Sequence, residues 1–470
     1  MAVAVAQGPG TPALDQQTTR RIDALIAIAM AHQHVPAVSL AIAKNGLILY
    51  SRGYGYRDLT RHRPANANTV YNVGSVTKEF TAACIMLLEQ EGKLSISDSL
   101  AKYFPRYPYA KQITLRNLLN HTSGIPDYVY GPNLPHHATA MQFYEVVWRR
   151  PLHFRPGTRF EYSSTNYLIL GMIVERVSGQ SYGEFVANRI FKPLGLSASS
   201  TRVEPRELSN GAVGYTFDGR WILFQAATPD DIGYADATVN SSALDLVKWD
   251  AALGGGMVVN AASWRAMTTP PRVLYEPPYG GYGFGLFIGR FYDQRMIYHP
   301  GANPGFITYN ATFPNDGLEI VMLGNSDNFQ PWLLLQRIFE TVERPTPAQI
   351  ADEARPAPNE NPRVRILAQQ WLVRLQTGNI DRSQLTAEAA KELTPASARG
   401  LAAKAHAIGK PLAFVYRGAG YYSPKHFYTY KLTFSGATVL YYVILSENGK
   451  IITLDLQRED PALTHPMDAI

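Results

Sequence analysis

The chain has 470 residues, 46% hydrophobic and 17% charged, which is typical of a globular protein with two to four domains or one large domain and an appendage. The 44 basic and 38 acidic residues leave a net charge of +6 and do not cluster beyond pairs, so nucleic-acid binding is not expected. No apolar run is long enough to predict a membrane span, and one cysteine, Cys84, excludes an internal disulfide.

Residues 1–14 are expected to form a flexible N-terminus. Ala4-Val5-Ala6 fits the small-residue end of a secretory signal, but the basic start and the apolar middle of such a signal are missing. Two interpretations stay open: a secreted or periplasmic protein cut near its cleavage site, or a plain tail on a protein that could be cytoplasmic.

The first elements are a helix and a hairpin. Apolar residues at helical spacing predict a helix over 15–32, which Pro36 stops. Strands over 38–43 and 47–50 flank Asn45-Gly46, a dipeptide typical of a tight hairpin turn.

A largely apolar helix is predicted next, and residues that could carry chemistry lie at its start. The spacing places Ser75 at the start of this helix as an N-cap, with Lys78 on the same face, and Gly92 as the stop. Because the helix is apolar almost all round, it is predicted to be buried. A hydroxyl there could lose its proton to a neutral lysine or to another base held by a charged one. The alternative is a capped helix with a solvated lysine.

Helices and loops are predicted between residues 95 and 241. A short helix over 115–119 breaks at a loop in which His121 is expected to organise the backbone. Residues 168–177 form a helix that Gly179 ends, and 242–253 form another with Trp249 on its apolar side.

Strands return towards the end of the first region. Runs over 282–288, 295–299, 307–313 and 319–323 read as strands, and with the early hairpin they predict one mixed sheet closed by both ends of a domain over 15–344.

A second domain is expected after a proline-rich linker over 345–362. Residues 363–470 read as a helix followed by four strands, a small α+β domain with helices on a curved antiparallel sheet. Its likeness to nuclear-transport-factor-like folds is loose, and covering a cleft, dimerisation and ligand binding stay open as its role.

Three motifs occur in order: Ser75-Val76-Thr77-Lys78, Tyr162-Ser163-Ser164 and His299-Pro300-Gly301. Together they resemble the serine β-lactamase and penicillin-binding protein superfamily, in the class C-related branch that includes D-alanyl-D-alanine peptidases, D-aminopeptidases and esterases. The resemblance covers residues 20–340. It implies an α+β fold, with a mixed antiparallel sheet flanked by helices and a helical subdomain.

The resemblance also implies catalytic roles. Ser75 would be the nucleophile that forms an acyl-enzyme, with Lys78 beside it. Tyr162 would act as base towards Ser75 and as acid towards the leaving group. A tyrosine is a poor base at neutral pH unless a cation stabilises its phenolate, which Lys78 could do. Whether Lys78 or Tyr162 holds the critical proton stays open.

The same resemblance assigns the substrate contacts. The backbone N–H groups of Ser75 and Ala302 would form an oxyanion hole, and His299 and Gly301 would lie on the strand that edges the cleft, with Gly301 leaving room for the substrate. Ser164 stands where asparagine is usual, and Pro300 where threonine is usual, so the substrate is less certain than the nucleophile.

We therefore expect a serine hydrolase acting on a small ester, amide or peptide, with no metal and no cofactor. A β-lactamase and a D-amino-acid-specific peptidase or transpeptidase are the alternatives within the enzymes. A penicillin-binding-like binding or sensor protein with negligible turnover is the alternative of another class. The oligomeric state is left open.

Overall fold

The computed structural model describes residues 13–130, 140–201, 205–223, 234–271, 280–353, 355–357, 359–394, 398–399, 402, 406, 409–422 and 425–458. These residues fall into two compact units, which divide chiefly between Pro345 and Thr346. Most of residues 1–14, expected to be a flexible N-terminus, lie outside the described residues.

The helices of the described residues are α1 (Gln16–Gln33), α2 (Thr77–Gln90), α3 (Leu115–Leu119), α4 (Ala140–Trp148), α5 (Ser164–Ser178), α6 (Tyr182–Val186), α7 (Lys192–Leu194), α8 (Ala243–Gly254), α9 (Ala261–Met267), α10 (Pro331–Glu343), α11 (Pro347–Glu353), α12 (Pro362–Thr377) and α13 (Ala387–Glu392). The strands are β1 (Ala37–Lys44), β2 (Leu47–Asp58), β3 (Arg63–Pro64), β4 (Tyr71–Asn72), β5 (Ser200–Thr201), β6 (Tyr215–Phe217), β7 (Trp221–Leu223), β8 (Val239–Ser241), β9 (Gly281–Tyr282), β10 (Phe287–Phe291), β11 (Gln294–Asn303), β12 (Phe306–Phe313), β13 (Leu318–Gly324), β14 (Ala413–Tyr422), β15 (Lys425–Phe434), β16 (Ala437–Ser446) and β17 (Ile451–Arg458).

The first unit is built on an eight-stranded sheet in the order β3-β2-β1-β13-β12-β11-β10-β9. Strand β1 pairs antiparallel with β13, with Ala41 opposite Val321. The predicted closure of one sheet by both ends of the domain is therefore confirmed. Asn45 and Gly46 both have positive φ (54° and 75°), as a tight hairpin turn between β1 and β2 requires.

Alternation along β12 gives the sheet two different faces. Tyr309 and Phe313 contact the α10 aromatics Trp332 and Phe339 on one face. On the other face, Thr308 donates to the Val73 carbonyl just before the Ser75 turn, and Asn310 donates to Glu79 of α2. The sheet therefore supports the Ser75 segment directly.

The predicted burial of α2 is confirmed. Its residues from Thr77 to Met86, and Leu88, are all buried, and Cys84 is part of the same core. Phe80 stacks on Trp249 of α8 at a ring-centroid distance of 4.1 Å. The predicted helices at the N-terminus and after Tyr162 are also present as α1, which Asp15 caps, and α5, which Gly179 ends in a left-handed conformation.

Two details of the prediction are wrong. Ser75 is not an N-cap: it lies in a 3-10 turn, Gly74–Val76, and α2 begins at Thr77. The stretch 282–288 is two short strands, β9 and β10, because Gly285 has φ +73° and reverses the chain. The proline-rich stretch 345–362, expected to be a linker, contains α11.

Helix α11 is stabilised by residues at its N-terminus, although prolines surround it in the sequence. Thr346 and Gln349 exchange hydrogen bonds between side chain and backbone, which is a capping box, and Pro347 stands at the first helical position.

The second unit contains a four-stranded antiparallel sheet in the order β14-β15-β16-β17. Trp371 and Leu372 of α12 form a core with Tyr430, Leu432 and Tyr441 of the sheet. The predicted helix and four strands of a small α+β domain are therefore present. The loose likeness to nuclear-transport-factor-like folds stays a prediction.

A chain ending at Pro345 is expected to fold on its own, because the sheet, α2 and the three motifs all lie before that residue. Thermal unfolding of residues 1–345, followed by circular dichroism, should show one cooperative transition. Aggregation or a gradual melt would mean that the second unit completes the first core.

Candidate active site

Ser75 and Lys78 meet where the 3-10 turn runs into α2. Lys78 Nζ donates hydrogen bonds to Ser75 Oγ (3.0 Å) and to the backbone carbonyl of Asp236 (2.9 Å). Lys78 is fully buried, whereas Ser75 is partly exposed. The arrangement thus presents a hydroxyl to solvent and holds an amine directly behind it.

Burial controls the protonation of this amine. It lowers the pKa of Lys78 to about 8, and the carboxylates of Asp236 and Asp127 act in the opposite direction. A lysine with such a pKa is neutral in an appreciable fraction of molecules near neutral pH, so Lys78 can accept a proton.

Tyr162 lies beside the amine, with Lys78 Nζ 5.0 Å from its ring centroid. Burial raises the pKa of Tyr162 well above its usual value, and Asp127 and Asp236 raise it further, while the Ser75 hydroxyl lowers it. Its phenol therefore keeps its proton at neutral pH, which makes it a donor near the Ser75 hydroxyl.

His121 organises the loop beneath Tyr162, as predicted. Its Nδ1 accepts hydrogen bonds from the Ser163 backbone N–H (3.2 Å) and from Asn166 Nδ2 (3.1 Å). Its ring packs on Tyr162 at 4.3 Å between centroids. Burial holds the pKa of His121 well below its usual value, so the imidazole is neutral and fixes the tyrosine segment without adding charge.

His299 lies on β11, and its side chain is buried. It is 1% exposed. Its Nδ1 donates to the Pro300 carbonyl (2.6 Å), because a carbonyl can only accept, and its Nε2 therefore accepts from the Tyr282 hydroxyl (3.0 Å). Burial and the nearby Lys78 lower the pKa of His299 to about 3. Both nitrogens are engaged within the protein, so a contact from His299 to a substrate stays a prediction.

Strand β11 and the Ser75 turn are in direct backbone contact. A Cβ on Gly301 would lie 2.0 Å from the Val73 carbonyl oxygen, and one on Gly74 would lie 2.6 Å from the Ala302 nitrogen. Gly301 thus lets the strand press against the turn, a packing reason beside the predicted room for substrate. The backbones of Ser75 and Ala302 come from these adjoining segments.

Two carboxylates that the sequence analysis missed lie close to the amine. Asp127 accepts from the backbone N–H of Ser164 (3.1 Å) and of Val129 (3.2 Å), and burial raises its pKa to about 6. Asp236 accepts from the Tyr128 hydroxyl (2.7 Å). Both come from loops that carry no motif, although Asp127 follows the predicted His121 loop by a few residues.

The described residues contain neither a cluster suited to a metal ion nor a membrane-spanning helix. No three of their histidine, cysteine, aspartate or glutamate side chains are arranged to hold a metal ion. None of the helices described is both long and apolar enough to cross a membrane.

Comparison with known proteins points to one group. The family model described as Beta-lactamase matches residues 22–336. Penicillin-binding protein 4* of Bacillus subtilis (strain 168) is 31% identical over 306 residues, which are 61% of this chain and 67% of that protein. A D-stereospecific amidohydrolase from Streptomyces sp. is structurally similar, with a TM-score of 0.60, 26% identity and coverage of 69% of this chain and 99% of that chain.

A similarity that extends into the second unit is found with the octameric penicillin-binding protein homologue from Pyrococcus abyssi. Its TM-score is 0.63 at 24% identity, and it covers 94% of this chain and 98% of that chain. At this identity the likeness describes the fold alone.

Gly301→Ala is expected to destabilise the protein by about 1–3 kcal/mol, because its Cβ would push β11 away from the Ser75 turn. Gly254→Ala is the matched control, since the nearest atom to its Cβ would be 3.9 Å away. Thermal unfolding should separate the two variants. Equal melting temperatures would show that the strand and the turn are not in this contact.

Proposed function

The chain belongs to the beta-lactamase family, and we propose that it is a serine hydrolase that forms an acyl-enzyme on Ser75 with small esters or amides. The observation that carries this proposal is the hydrogen bond of 3.0 Å between the buried Lys78 amine and the partly exposed Ser75 hydroxyl.

Lys78 is the base in the proposed acylation step. Ser75 Oγ attacks the substrate carbonyl carbon, its proton passes to the neutral Lys78 amine, and the carbonyl π electrons move onto oxygen. The choice of Lys78 over Tyr162 follows from their protonation: the pKa of Lys78 is lowered to about 8, whereas that of Tyr162 is raised.

Tyr162 completes the step as the acid. The leaving oxygen or nitrogen takes the phenol proton as its bond to carbon breaks, and the Lys78 ammonium returns a proton to the phenolate. Water then attacks the ester carbonyl on Ser75 and gives a proton to the same pair of groups. As the bond between the acyl carbon and Ser75 Oγ breaks, Oγ takes a proton back from this pair, which releases the acid and restores the hydroxyl.

The developing oxyanion needs donors of its own. The backbone N–H groups of Ser75 and Ala302 are our candidates, because their segments touch through Gly74. Losing one such donor typically lowers the rate by about 10²–10³-fold.

Charge around the amine favours some substrates over others. Asp127 and Asp236 place negative charge near Lys78 and Tyr162. Pro300 has neither a hydroxyl nor a backbone N–H to offer a substrate carboxylate, and Ser164 has a shorter reach than asparagine and no NH₂ group. An uncharged ester, or an amide bearing an ammonium group, suits this environment better than a β-lactam carboxylate. The similarity to a D-stereospecific amidohydrolase supports D-amino-acid amides as a second candidate substrate class.

Ser75→Ala should abolish both hydrolysis and covalent labelling by a fluorophosphonate, read as intact mass, while circular dichroism shows the native fold. The matched control is Ser263→Ala, an α9 residue outside the site. Absence of an adduct on the natural protein would favour a binding or sensor protein instead. An adduct that persists in Ser75→Ala would place the nucleophile elsewhere.

Lys78→Arg should lose at least about a hundredfold in kcat/KM, because arginine stays protonated and cannot accept the Ser75 proton. In the natural protein kcat/KM should rise with pH and level off above about 8, as the buried amine of Lys78 loses its proton. A rate that is flat from pH 6 to 10, or an active Lys78→Arg enzyme, would contradict the assignment of Lys78 as base.

Among substrates, p-nitrophenyl butyrate and D-alanine p-nitroanilide should exceed nitrocefin in kcat/KM on one preparation. Each missing donor to the β-lactam carboxylate removes a charge-assisted hydrogen bond of about 1.5–3 kcal/mol, equivalent to about tenfold or more. Nitrocefin as the best substrate by a clear margin would overturn this expectation.

A further inference from the structure

A cavity that the hydrolytic mechanism does not use lies beside α2, between α8 and the sheet. Its volume is about 400 Å³, within the range of small-molecule sites. Glu79 of α2, Asp250 of α8, and Asn310 and Glu319 of the sheet line it. Glu79 directly follows Lys78, but successive residues of a helix point in different directions, so its side chain leaves the catalytic face.

The polar side chains of this cavity form a connected set. The Asn310 amide nitrogen donates to Asp250 Oδ1 (2.8 Å) and to the Glu79 carboxylate (3.2 and 3.3 Å). Glu79 also accepts from Trp249 Nε1 (2.8 Å). The donors of Asn310 and Trp249 are therefore already used by Glu79 and Asp250.

Three acceptors remain without a hydrogen-bond partner among the described residues: Asp250 Oδ2, Asn310 Oδ1 and Glu319 Oε2. The three residues are 8%, 2% and 5% exposed. The unpartnered oxygen of Asn310 belongs to a neutral amide. It can only accept a hydrogen bond, whatever the charge of the neighbouring carboxyl groups. Buried acceptors left unpaired cost free energy, so a ligand that donates hydrogen bonds to them would stabilise the site.

Charge points the same way. The titratable groups that face the cavity are Glu79, Asp250 and Glu319, and its described lining contains no lysine, arginine or histidine. Burial raises the pKa of Asp250 to about 7. Burial, and then the charge of Asp250, raise the pKa of Glu319 to about 9 and raise that of Glu79. A bound cation would favour the ionised carboxylates, so its binding would release protons.

The rest of the lining is apolar and reaches the surface. Leu253, Trp264, Leu286 and Ile297 line the cavity, and the exposed Met257 lines its outer part. A ligand would therefore place a charged head among the three acceptors and an apolar body against these side chains.

We propose that this cavity, lined by Glu79, Asp250, Asn310 and Glu319, binds a small organic ammonium ion with an apolar body. A primary ammonium has three N–H donors, the number of unpartnered acceptors in the cavity. No three acidic, histidine or cysteine side chains among the described residues have the arrangement of a metal site, so an amine suits the cavity better than a metal ion.

The test uses full-length Ser75→Ala protein, so that no acyl-enzyme can react with an amine and hydrolysis has no part in the result. Benzylammonium chloride is titrated by calorimetry, with benzyl alcohol as the neutral probe of the same shape. Benzylammonium should bind, benzyl alcohol should not bind measurably over the same range, and binding should release protons. Its affinity should therefore rise between pH 6 and pH 8.

Glu319→Gln, introduced into the Ser75→Ala protein, should weaken benzylammonium binding by about tenfold or more. The substitution removes a charge-assisted hydrogen bond and keeps the shape of the side chain. Added Asp250→Asn should do the same. Glu207→Gln, at an exposed acidic residue in the same unit, is the matched control and should leave the affinity unchanged.

Three results would overturn the proposal. No heat with benzylammonium would mean that the cavity holds only water and shared protons. Equal binding of both probes would show that charge has no part. Full affinity in Glu319→Gln and Asp250→Asn would place the amine elsewhere, for example beside Asp127. None of these outcomes bears on whether Ser75 is acylated in the natural protein.

Discussion

The structure depends on one costly burial, that of the Lys78 amine in the core of the first unit. A charged amine loses much of its hydration there, and this loss lowers the pKa of Lys78 to about 8. The carboxylates of Asp236 and Asp127 offset only part of this effect. The Asp236 carbonyl and the Ser75 hydroxyl supply its two hydrogen bonds. A lysine held in this way can gain and lose a proton near neutral pH, which an exposed lysine cannot do.

The sheet keeps this arrangement in place through backbone contacts. Strand β11 lies against the Ser75 turn where Gly301 leaves no side chain, and Thr308 of β12 donates to the Val73 carbonyl (3.0 Å). Below them, His299 and Tyr282 form a neutral hydrogen-bonded pair. Because the pair of His299 and Tyr282 is neutral, it adds no positive charge next to the reacting groups. The pKa of Lys78 is therefore set chiefly by burial and by the carboxylates of Asp236 and Asp127.

Much of this could be predicted from the sequence, because periodicity and motif order act locally. The apolar run after Lys78 predicts a buried helix, and Asn45-Gly46 predicts the hairpin whose first strand closes the sheet. The order of the three motifs also identifies a family that the comparisons support. The sequence predicted less well the places where one short pattern is compatible with two local structures. A serine before a helix usually caps it, but Gly74, with φ +53°, places Ser75 in a 3-10 turn instead. Threonine and glutamine around Pro347 make a helix within a stretch whose prolines suggest a linker.

The remaining features arise only when distant segments meet. Asp127 and Asp236 reach Lys78 from two loops, and no spacing in the chain announces them. The carboxyl cavity collects Glu79, Asp250 and Glu319 from a helix, a second helix and a strand. In the sequence each is a single acidic residue, which is usually solvated.

The central claim is that Lys78 is a base with a lowered pKa, and its direct titration is the sharpest test. In protein labelled with ¹³C at the Cε atoms of all lysines, one signal should titrate with a pKa of about 8. This signal should be absent from the spectrum of Lys78→Met, which assigns it to Lys78. The other lysines should titrate near about 10.4. A Lys78 signal that also titrates near 10.4 would show that the amine remains charged at neutral pH, and the proposed acylation by a neutral lysine would be wrong.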